Sequence, residues 1–154
     1  MNRKKVLVIH GPNLNMLGLR EPEIYGHVTF AELNKQLNIL AGELELELEI
    51  FQSNYEGALI DKIQECMQSV DGILINPGGL AHTSVVLKDA LSIVDKHVVE
   101  VHVSNIHSRE EFRHFSYVAK EADAVIAGFG VESYFLALRG LAQLMRKSVY
   151  KEGV

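Results

Sequence analysis

Short runs of apolar residues alternate along the chain with longer amphipathic stretches, and this alternation predicts strands separated by helices. The amphipathic stretches carry apolar residues at steps of three or four, as at Leu33, Leu37 and Leu40, which is the spacing of one helix face. Similar rows begin at Leu59 and Leu87. The apolar runs predict five strands, at residues 5–10, 46–52, 72–76, 98–104 and 124–129.

This order of elements predicts the fold class. Strands joined by helices favour right-handed crossovers, and therefore a parallel sheet that helices cover on both faces. We expect an α/β fold, a flavodoxin-like three-layer sandwich with a five-stranded parallel sheet in the order 2-1-3-4-5. Capping boxes, in which Ser or Thr and a Glu three residues later satisfy each other's backbone donors, predict helix starts at Thr29, Ser53 and Ser108.

Length, charge and cysteine content narrow the class of protein. The 154 residues suit a single domain, 1–154, and the net charge of -5 argues against a nucleic-acid partner. Cys66 is the only cysteine, so a disulfide within the chain is excluded. No apolar run approaches the length of a membrane span, and the run at residues 6–9 is too short for a signal peptide. We expect a cytoplasmic protein without a membrane partner.

Polar residues collect where the predicted strands end, at residues 10–13, 52–54, 76–79 and 102–105. The carboxyl ends of parallel strands meet at one edge of a sheet, which is where ligands bind in folds of this class. Asn, Gly and Ser also form ordinary turns, and this is the alternative for any one segment. The repeated asparagines favour a binding site for a small molecule.

The fourth predicted strand places its polar residues on one face. Glu100, His102 and Ser104 alternate with valines, whereas a parallel strand is normally apolar on both faces. A carboxylate two residues before a histidine can hold the ring and raise its basicity. We therefore predict that His102 is a general acid; the alternative is a hydrogen-bonded structural histidine.

The segment from Gly11 to Val28 is too long for an ordinary connection between a strand and a helix. Its glycines offer hinges, so a mobile lid is one interpretation and a plain surface loop is the other. Arg20 and Tyr25 lie on this segment. An isolated tyrosine is expected only to pack its ring, but an adjacent guanidinium stabilises a phenolate and would make Tyr25 a base.

Metal and nucleotide cofactors are not expected. The seven histidines include no pair four residues apart, and there is no cysteine cluster. Ser133 stands where a dinucleotide fingerprint at residues 128–133 would need its third glycine. The alternatives are a metal-dependent hydrolase and a flavodoxin-like or receiver-like binding module. The acidic residues of a receiver and the phosphate loop of a flavin module are missing after the first strand.

Five blocks of the sequence carry a family pattern. They are 11–26, which contains Gly11-Pro12-Asn13-Leu14-Asn15; Gln52-Ser53-Asn54; Asn76-Pro77-Gly78-Gly79; His82-Thr83-Ser84; and Glu100 to Asn105 with Arg109 to Arg113. In this order they resemble the type II dehydroquinases, the type II 3-dehydroquinate dehydratases, and the resemblance runs from Val8 to about Leu144.

The resemblance implies an enzyme of the shikimate pathway of aromatic amino acid biosynthesis, which eliminates water from 3-dehydroquinate to give 3-dehydroshikimate. The elimination is anti and passes through an enolate. Tyr25 as tyrosinate removes the proton beside the ketone, Arg20 stabilises the tyrosinate, and His102 protonates the departing hydroxyl. Glu100 would orient His102, and Asn13 would stabilise the enolate through a bound water. No metal, cofactor or imine is implied.

The resemblance also implies how the substrate is held. The carboxylate would bind Asn76 and the backbone amides of Val103 and Ser104. The ring hydroxyls would bind His82, Arg113 and Asp89. Asp89 would serve a neighbouring subunit, because similar proteins form trimers that assemble into homododecamers. The chain departs from the family wording at Tyr55, Ala81 and Phe115, none of which carries an assigned role.

Overall fold

The computed structural model describes residues 2–19 and 21–147, apart from the side chain of Tyr25. Within these residues the strands are β1 (Lys4–His10), β2 (Leu46–Gln52), β3 (Gly72–Asn76), β4 (His97–His102) and β5 (Ala124–Ala127). The helices are α1 (Pro22–Tyr25), α2 (Phe30–Glu43), α3 (Glu56–Cys66), α4 (Val85–Ile93) and α5 (Glu132–Arg146). Short 3-10 helices lie at Leu14–Met16, Gly78–His82, Ile106–Ser108, Glu111–Arg113 and Val118–Lys120.

The five strands of the described residues lie parallel in one sheet, in the order β2-β1-β3-β4-β5. This confirms the predicted fold class and strand order. The register pairs His10, at the end of β1, with Gln52 on one side and Asn76 on the other. The polar segments that follow β1, β2 and β3 therefore leave the sheet side by side.

The side chains of the sheet contribute to two apolar cores, one on each face. Val6 and Val8 of β1 pack with α2 and α5, whereas Leu7 and Ile9 pack with α3 and α4. All four are fully buried, which fits the continuous apolar run of a central parallel strand. Helices, sheet and helices thus form three layers, as predicted.

The helix starts agree only in part with the capping boxes. Thr29 Oγ1 accepts a hydrogen bond from the Glu32 backbone N–H at 3.2 Å, as predicted. The predictions at Ser53 and Ser108 are wrong, because Ser53 Oγ accepts from the Tyr55 N–H and Ser108 ends a 3-10 helix. Such hydroxyls satisfy nearby backbone groups in short turns, and so do not cap a following α-helix.

Two strands end two residues earlier than predicted, β4 at His102 and β5 at Ala127. Gly128 follows β5 with φ of 100°, a left-handed conformation that glycine adopts freely, and it turns the chain away. Its N–H donates to the His102 carbonyl oxygen at 3.3 Å. Ser104 therefore lies in the loop after β4 rather than on the strand.

The last helix, α5, was not predicted from the sequence. It begins at Glu132 without a side-chain cap, so the start signal that marks α2 is missing. Its buried residues Tyr134, Leu138 and Leu141 nevertheless pack against the sheet. No helix within residues 2–19 and 21–147 is long and apolar enough to cross a bilayer.

The segment between β1 and α2 makes two close backbone contacts. The Gly11 N–H donates to the Asn76 carbonyl oxygen at 2.7 Å. Gly18, with φ of 87°, passes so close to Val28 that an added Cβ would lie 2.8 Å from the Val28 carbonyl oxygen. Gly18 and Val28, which lie on either side of α1 in the sequence, are therefore close neighbours in space.

His10 ends β1 as a fully buried histidine. Its Nε2 lies 2.9 Å from Asn34 Oδ1 and its Nδ1 lies 2.9 Å from Tyr134 Oη, while the Phe30 ring meets the imidazole edge-on at 4.8 Å. Burial lowers the pKa of His10 to about 4, against the opposing effect of the Asn34 hydrogen bond. The imidazole is therefore neutral at pH 7.

We expect the free energy of unfolding to fall as the pH drops from 6.5 to 4. In this range the unfolded chain, in which His10 has its ordinary pKa of 6.5, binds a proton that the folded chain does not. The stabilisation is complete above pH 6.5, and roughly 3 kcal/mol of it is lost by pH 4. Urea unfolding of the parent and of His10→Gln between pH 7 and 4 measures this, since glutamine does not titrate. Parallel pH curves for the two proteins would contradict the expectation.

Candidate active site

A cleft lies along the carboxyl edge of the sheet, where β1, β3 and β4 end. Its volume is about 730 Å³, including the part open to solvent. The predicted site residues that line it are Asn13, Asn76, His82, His102, Val103, Ser104 and Arg113. Residues without a predicted role also line it, among them Leu14, Met16, Ile106 and Arg109.

His102 and Glu100 form a buried acid–base pair at the end of β4. His102 Nε2 lies 3.2 Å from Glu100 Oε1, and both residues are almost completely buried. The geometry of this contact is not that of a hydrogen bond, although the two polar atoms face each other. A neighbouring carboxylate can orient an imidazole for proton transfer. The pair is therefore suited to acid–base chemistry at the cleft.

Ser116 supports this pair from outside the cleft. Ser116 Oγ donates a 2.6 Å hydrogen bond to Glu100 Oε1, and it accepts one from the Ala119 N–H at 3.1 Å. A hydroxyl bonded to a carboxylate makes a short, charge-assisted contact, which fixes the orientation of Glu100. Sequence reasoning missed Ser116, because no local pattern connects it with a residue sixteen positions earlier in the chain.

The His82 ring lies nearly parallel to the His102 ring, with centroids 6.1 Å apart and 20° between the planes. His82 Nδ1 is 2.7 Å from the Phe115 carbonyl oxygen and must donate to it. Burial lowers the pKa of His82, although this hydrogen bond opposes the change. The neutral ring leaves Nε2 as an acceptor for a hydroxyl. No group of three His, Cys, Asp or Glu side chains in the described residues is placed to hold a metal ion.

Asn76 ends β3 with its amide held on two sides. Asn76 Oδ1 accepts from the Gly78 N–H at 3.1 Å, and Nδ2 donates to Tyr134 Oη at 2.9 Å. A side-chain amide nitrogen carries two hydrogens, so one remains for a ligand in the cleft.

Asn13 begins the first turn after β1 in a left-handed backbone conformation, with φ of 71°, which asparagine adopts more readily than most residues. Its N–H donates to Asn54 Oδ1 at 2.9 Å, and Gln52 Nε2 donates to the same oxygen at 3.1 Å. The block from Gln52 to Asn54 therefore holds the Asn13 backbone, a role that the sequence alone did not indicate.

Two arginines place positive charge at the cleft, although the whole chain has a net charge of -5. Arg113 Nε lies 2.8 Å from Glu110 Oε2, and Arg109 Nη1 donates to Ser104 Oγ at 3.1 Å. Guanidinium groups bind carboxylates through paired donors, so the cleft suits a small anionic ligand. Arg109 belongs to a block that carries the family pattern but was given no role. Its spacing of four residues from Arg113 was the available signal.

Of the remaining predicted residues, one lies away from the cleft of its own chain and two fall wholly or partly outside the described residues. Asp89 lies on α4 with 58% of its side chain exposed, 3.7 Å from Lys88 Nζ, and it does not line the cleft of its own chain. The whole of Arg20 and the side chain of Tyr25 lie outside the described residues. The backbone of Tyr25 ends α1.

Other proteins are similar to this chain in sequence and in fold. A family model described as dehydroquinase class II matches residues 4–142. The 3-dehydroquinate dehydratase of Dictyoglomus turgidum is 58% identical over 137 residues, covering 89% of this chain and 94% of the relative. That of Endomicrobium trichonymphae is 54% identical over 142 residues, covering 92% and 99%. The solved type II dehydroquinase from Butyrivibrio crossotus has a TM-score of 0.89 at 44% identity, and the match covers 92% of this chain and 99% of that one.

Proposed function

The chain belongs to the class II dehydroquinase family, and we infer from this membership that it is a 3-dehydroquinate dehydratase, a hydro-lyase. It converts 3-dehydroquinate to 3-dehydroshikimate with loss of water. The observation that carries the assignment to this cleft is the buried Glu100–His102 pair, 3.2 Å apart at the end of β4. It supplies a proton donor beside side chains that can bind an anionic, hydroxylated ring.

We propose an anti elimination through an enolate, with Tyr25 as the base. The Tyr25 phenolate, stabilised by the Arg20 guanidinium, removes a proton from the carbon beside the ketone. The electrons of that C–H bond form the enolate. When the enolate collapses to the ketone, the hydroxyl on the neighbouring carbon leaves with its bonding electrons, and His102 protonates it to water.

Asn13 and Glu100 assist these two steps. Asn13 stabilises the enolate oxygen through a bound water, and its position at the cleft supports this role. Glu100 orients His102, a role supported by the 3.2 Å separation of their polar atoms and by the burial of both groups. Ser116 keeps Glu100 in place through its 2.6 Å hydrogen bond.

Substrate binding divides between the carboxylate and the ring hydroxyls. We propose that Asn76 and the backbone amides of Val103 and Ser104 bind the carboxylate. The ring hydroxyls bind Arg113 and His82 Nε2, the latter supported by the contact of Nδ1 with the Phe115 carbonyl oxygen, which leaves Nε2 as the ring nitrogen available to a ligand. Arg109 and Arg113 place positive charge beside the ligand although the chain as a whole carries a net charge of -5.

Asn54→Ala is expected to lower kcat about fivefold, because the Asn13 backbone loses a hydrogen-bond acceptor with a net worth of about 1 kcal/mol. Asn54→Asp is the matched control, since its carboxylate keeps an acceptor for both the Asn13 N–H and the Gln52 amide. Steady-state kinetics on 3-dehydroquinate compares the three proteins. Equal loss in both variants would contradict a role that depends on this acceptor.

We also propose that the chain assembles into a homododecamer built from trimers, in which Asp89 reaches the site of a neighbouring subunit. The exposed face of α4 supports this, because Val85, Val86 and Ile93 are each about half exposed and lie on the same helix as Asp89. Exposed apolar patches of this kind mark interaction surfaces. Light scattering should give about twelve times the chain mass of 17.2 kDa. A monomer at working concentration would rule the assembly out.

The setting we propose is the shikimate pathway of aromatic amino acid biosynthesis, in the cytoplasm. The single cysteine cannot form a disulfide within the chain, which is compatible with the reducing cytoplasm.

Mixing the purified protein with 3-dehydroquinate and following the ultraviolet absorbance of the conjugated enone product tests the function directly. We expect turnover that is unaffected by a chelator, because no step of the proposed mechanism requires a metal ion. Loss of activity on chelation would instead favour a metal-dependent hydrolase. A protein that binds ligands without any turnover would favour a binding module of the same fold.

A further inference from the structure

A row of four hydrogen-bonding side chains runs through the interior from α2 to the cleft. It passes from Asn34 to His10, then to Tyr134, and ends at Asn76, with a separation of 2.9 Å at each step. Tyr134 and His10 are fully buried, and Asn76 is 4% exposed. Buried polar groups are costly unless they are hydrogen-bonded, so a connected buried set restricts the positions of all its members.

The donor and acceptor roles along this row of side chains follow from the contacts of Asn76, the member at the cleft. The Gly78 N–H must meet an acceptor, so the Asn76 atom beside it is Oδ1, and Nδ2 must be the atom that faces Tyr134. The Tyr134 oxygen therefore accepts from Asn76. Rotating the Asn76 amide by 180° would place its NH2 group against the Gly78 N–H, with a donor facing a donor.

Because the Tyr134 oxygen accepts from Asn76, its own hydrogen is free to be donated to His10 Nδ1. That requires a neutral His10 protonated on Nε2, and this second N–H then meets the Asn34 Oδ1 acceptor. The low pKa that burial gives His10 keeps the ring in this neutral form. Every donor between Asn76 and Asn34 thus meets an acceptor.

We propose that Tyr134 is a positioning residue for substrate binding: its hydroxyl, held in turn by His10, fixes the Asn76 amide so that the second N–H faces the cleft. The terminal torsion of an asparagine is broad and has no sharp preference of its own. Two contacts, from Gly78 on one side and Tyr134 on the other, therefore set the plane of the amide. The inference rests on the proposed function, in which Asn76 binds the substrate carboxylate.

Tyr134→Phe removes one oxygen and leaves the ring packing in place. We expect KM for 3-dehydroquinate to rise about tenfold, because two buried groups lose their partner and the Asn76 amide is no longer fixed. We expect kcat to stay within twofold, since a carboxylate contact is the same in the ground state and the transition state. Tyr55→Phe is the matched control, because Tyr55 is 77% exposed and its loss of a hydroxyl should change neither constant.

A double-mutant cycle with Asn76→Ala separates positioning from a general loss of structure. The probe is 3-dehydroshikimate, which keeps the carboxylate, and its affinity is measured by calorimetry. Tyr134→Phe should weaken binding about tenfold when Asn76 is present and less than twofold when alanine replaces it, because coupled residues are not additive. Equal weakening in both backgrounds, or no weakening in either, would overturn the inference.

Asn34→Ala keeps the inference testable if Tyr134→Phe does not fold. Asn34 is half-buried and is the member of the row farthest from the cleft. Its removal should therefore weaken binding less than Tyr134→Phe does, and again only when Asn76 is present. An effect that persists without Asn76 would also count against the inference. Parent activity on 3-dehydroquinate is measured in the same series. An inactive parent would contradict the proposed function, whereas an active parent with an additive cycle would contradict only the role of Tyr134.

Discussion

Replacing His102 by glutamine is expected to lower kcat for 3-dehydroquinate by about a thousandfold, which lies within the usual contribution of a general acid. Glutamine can still present an N–H toward Glu100, so the buried carboxylate keeps a partner and the fold should survive. Its amide cannot transfer a proton to the departing hydroxyl. Steady-state kinetics and thermal unfolding, measured on the same preparation, give the two readouts.

His107→Gln is the control for this change, because His107 is an exposed histidine in the short helix that follows the loop after β4. It should keep the kcat of the parent. If His102→Gln retained more than a tenth of the parent kcat with a normal melting temperature, His102 would not be the acid, and the buried pair would have only a structural role.

Replacing Tyr25 by phenylalanine is expected to reduce kcat by a factor between about 10³ and 10⁴, because this removes the base that we propose for the elimination. Arg20→Ala should behave differently. The hydroxyl of Tyr25 remains, but an ordinary phenol ionises only near pH 10, so the activity of this variant should recover as the pH is raised. The measurement is kcat against pH for the parent and both variants.

Arg20→Lys is the control, since it keeps a positive charge on the same segment. Its activity near neutral pH should lie between those of the parent and Arg20→Ala. Parent-like kinetics for both Tyr25→Phe and Arg20→Ala would exclude the phenolate mechanism and leave residues 19–27 without a chemical role.

Glu100 and His102 show what the sequence can predict. The two-residue period of a strand places both side chains on one face, whatever the rest of the fold does, and the structure brings their polar atoms to 3.2 Å. The strand order followed from the alternation of strands and helices, since crossover connections permit few topologies. Both predictions depend on local spacing.

Contacts between distant segments could not be predicted in this way. Asn54 meets the Asn13 backbone only because β1 and β2 are neighbours with one particular register. Ser116 reaches Glu100 from a loop without regular periodicity. Tyr134 lies on a helix that begins without a capping side chain, and its partner His10 lies 124 residues away. In each case the pairing depends on how distant segments pack in the complete fold.

The close contact between Gly18 and Val28 brings two residues that are ten positions apart in the sequence to one point of the fold. Leu17, next to this contact, lines the cleft. Any side chain at position 18 would collide with the Val28 carbonyl oxygen, so replacing Gly18 should separate the two residues and displace Leu17 from the wall of the cleft.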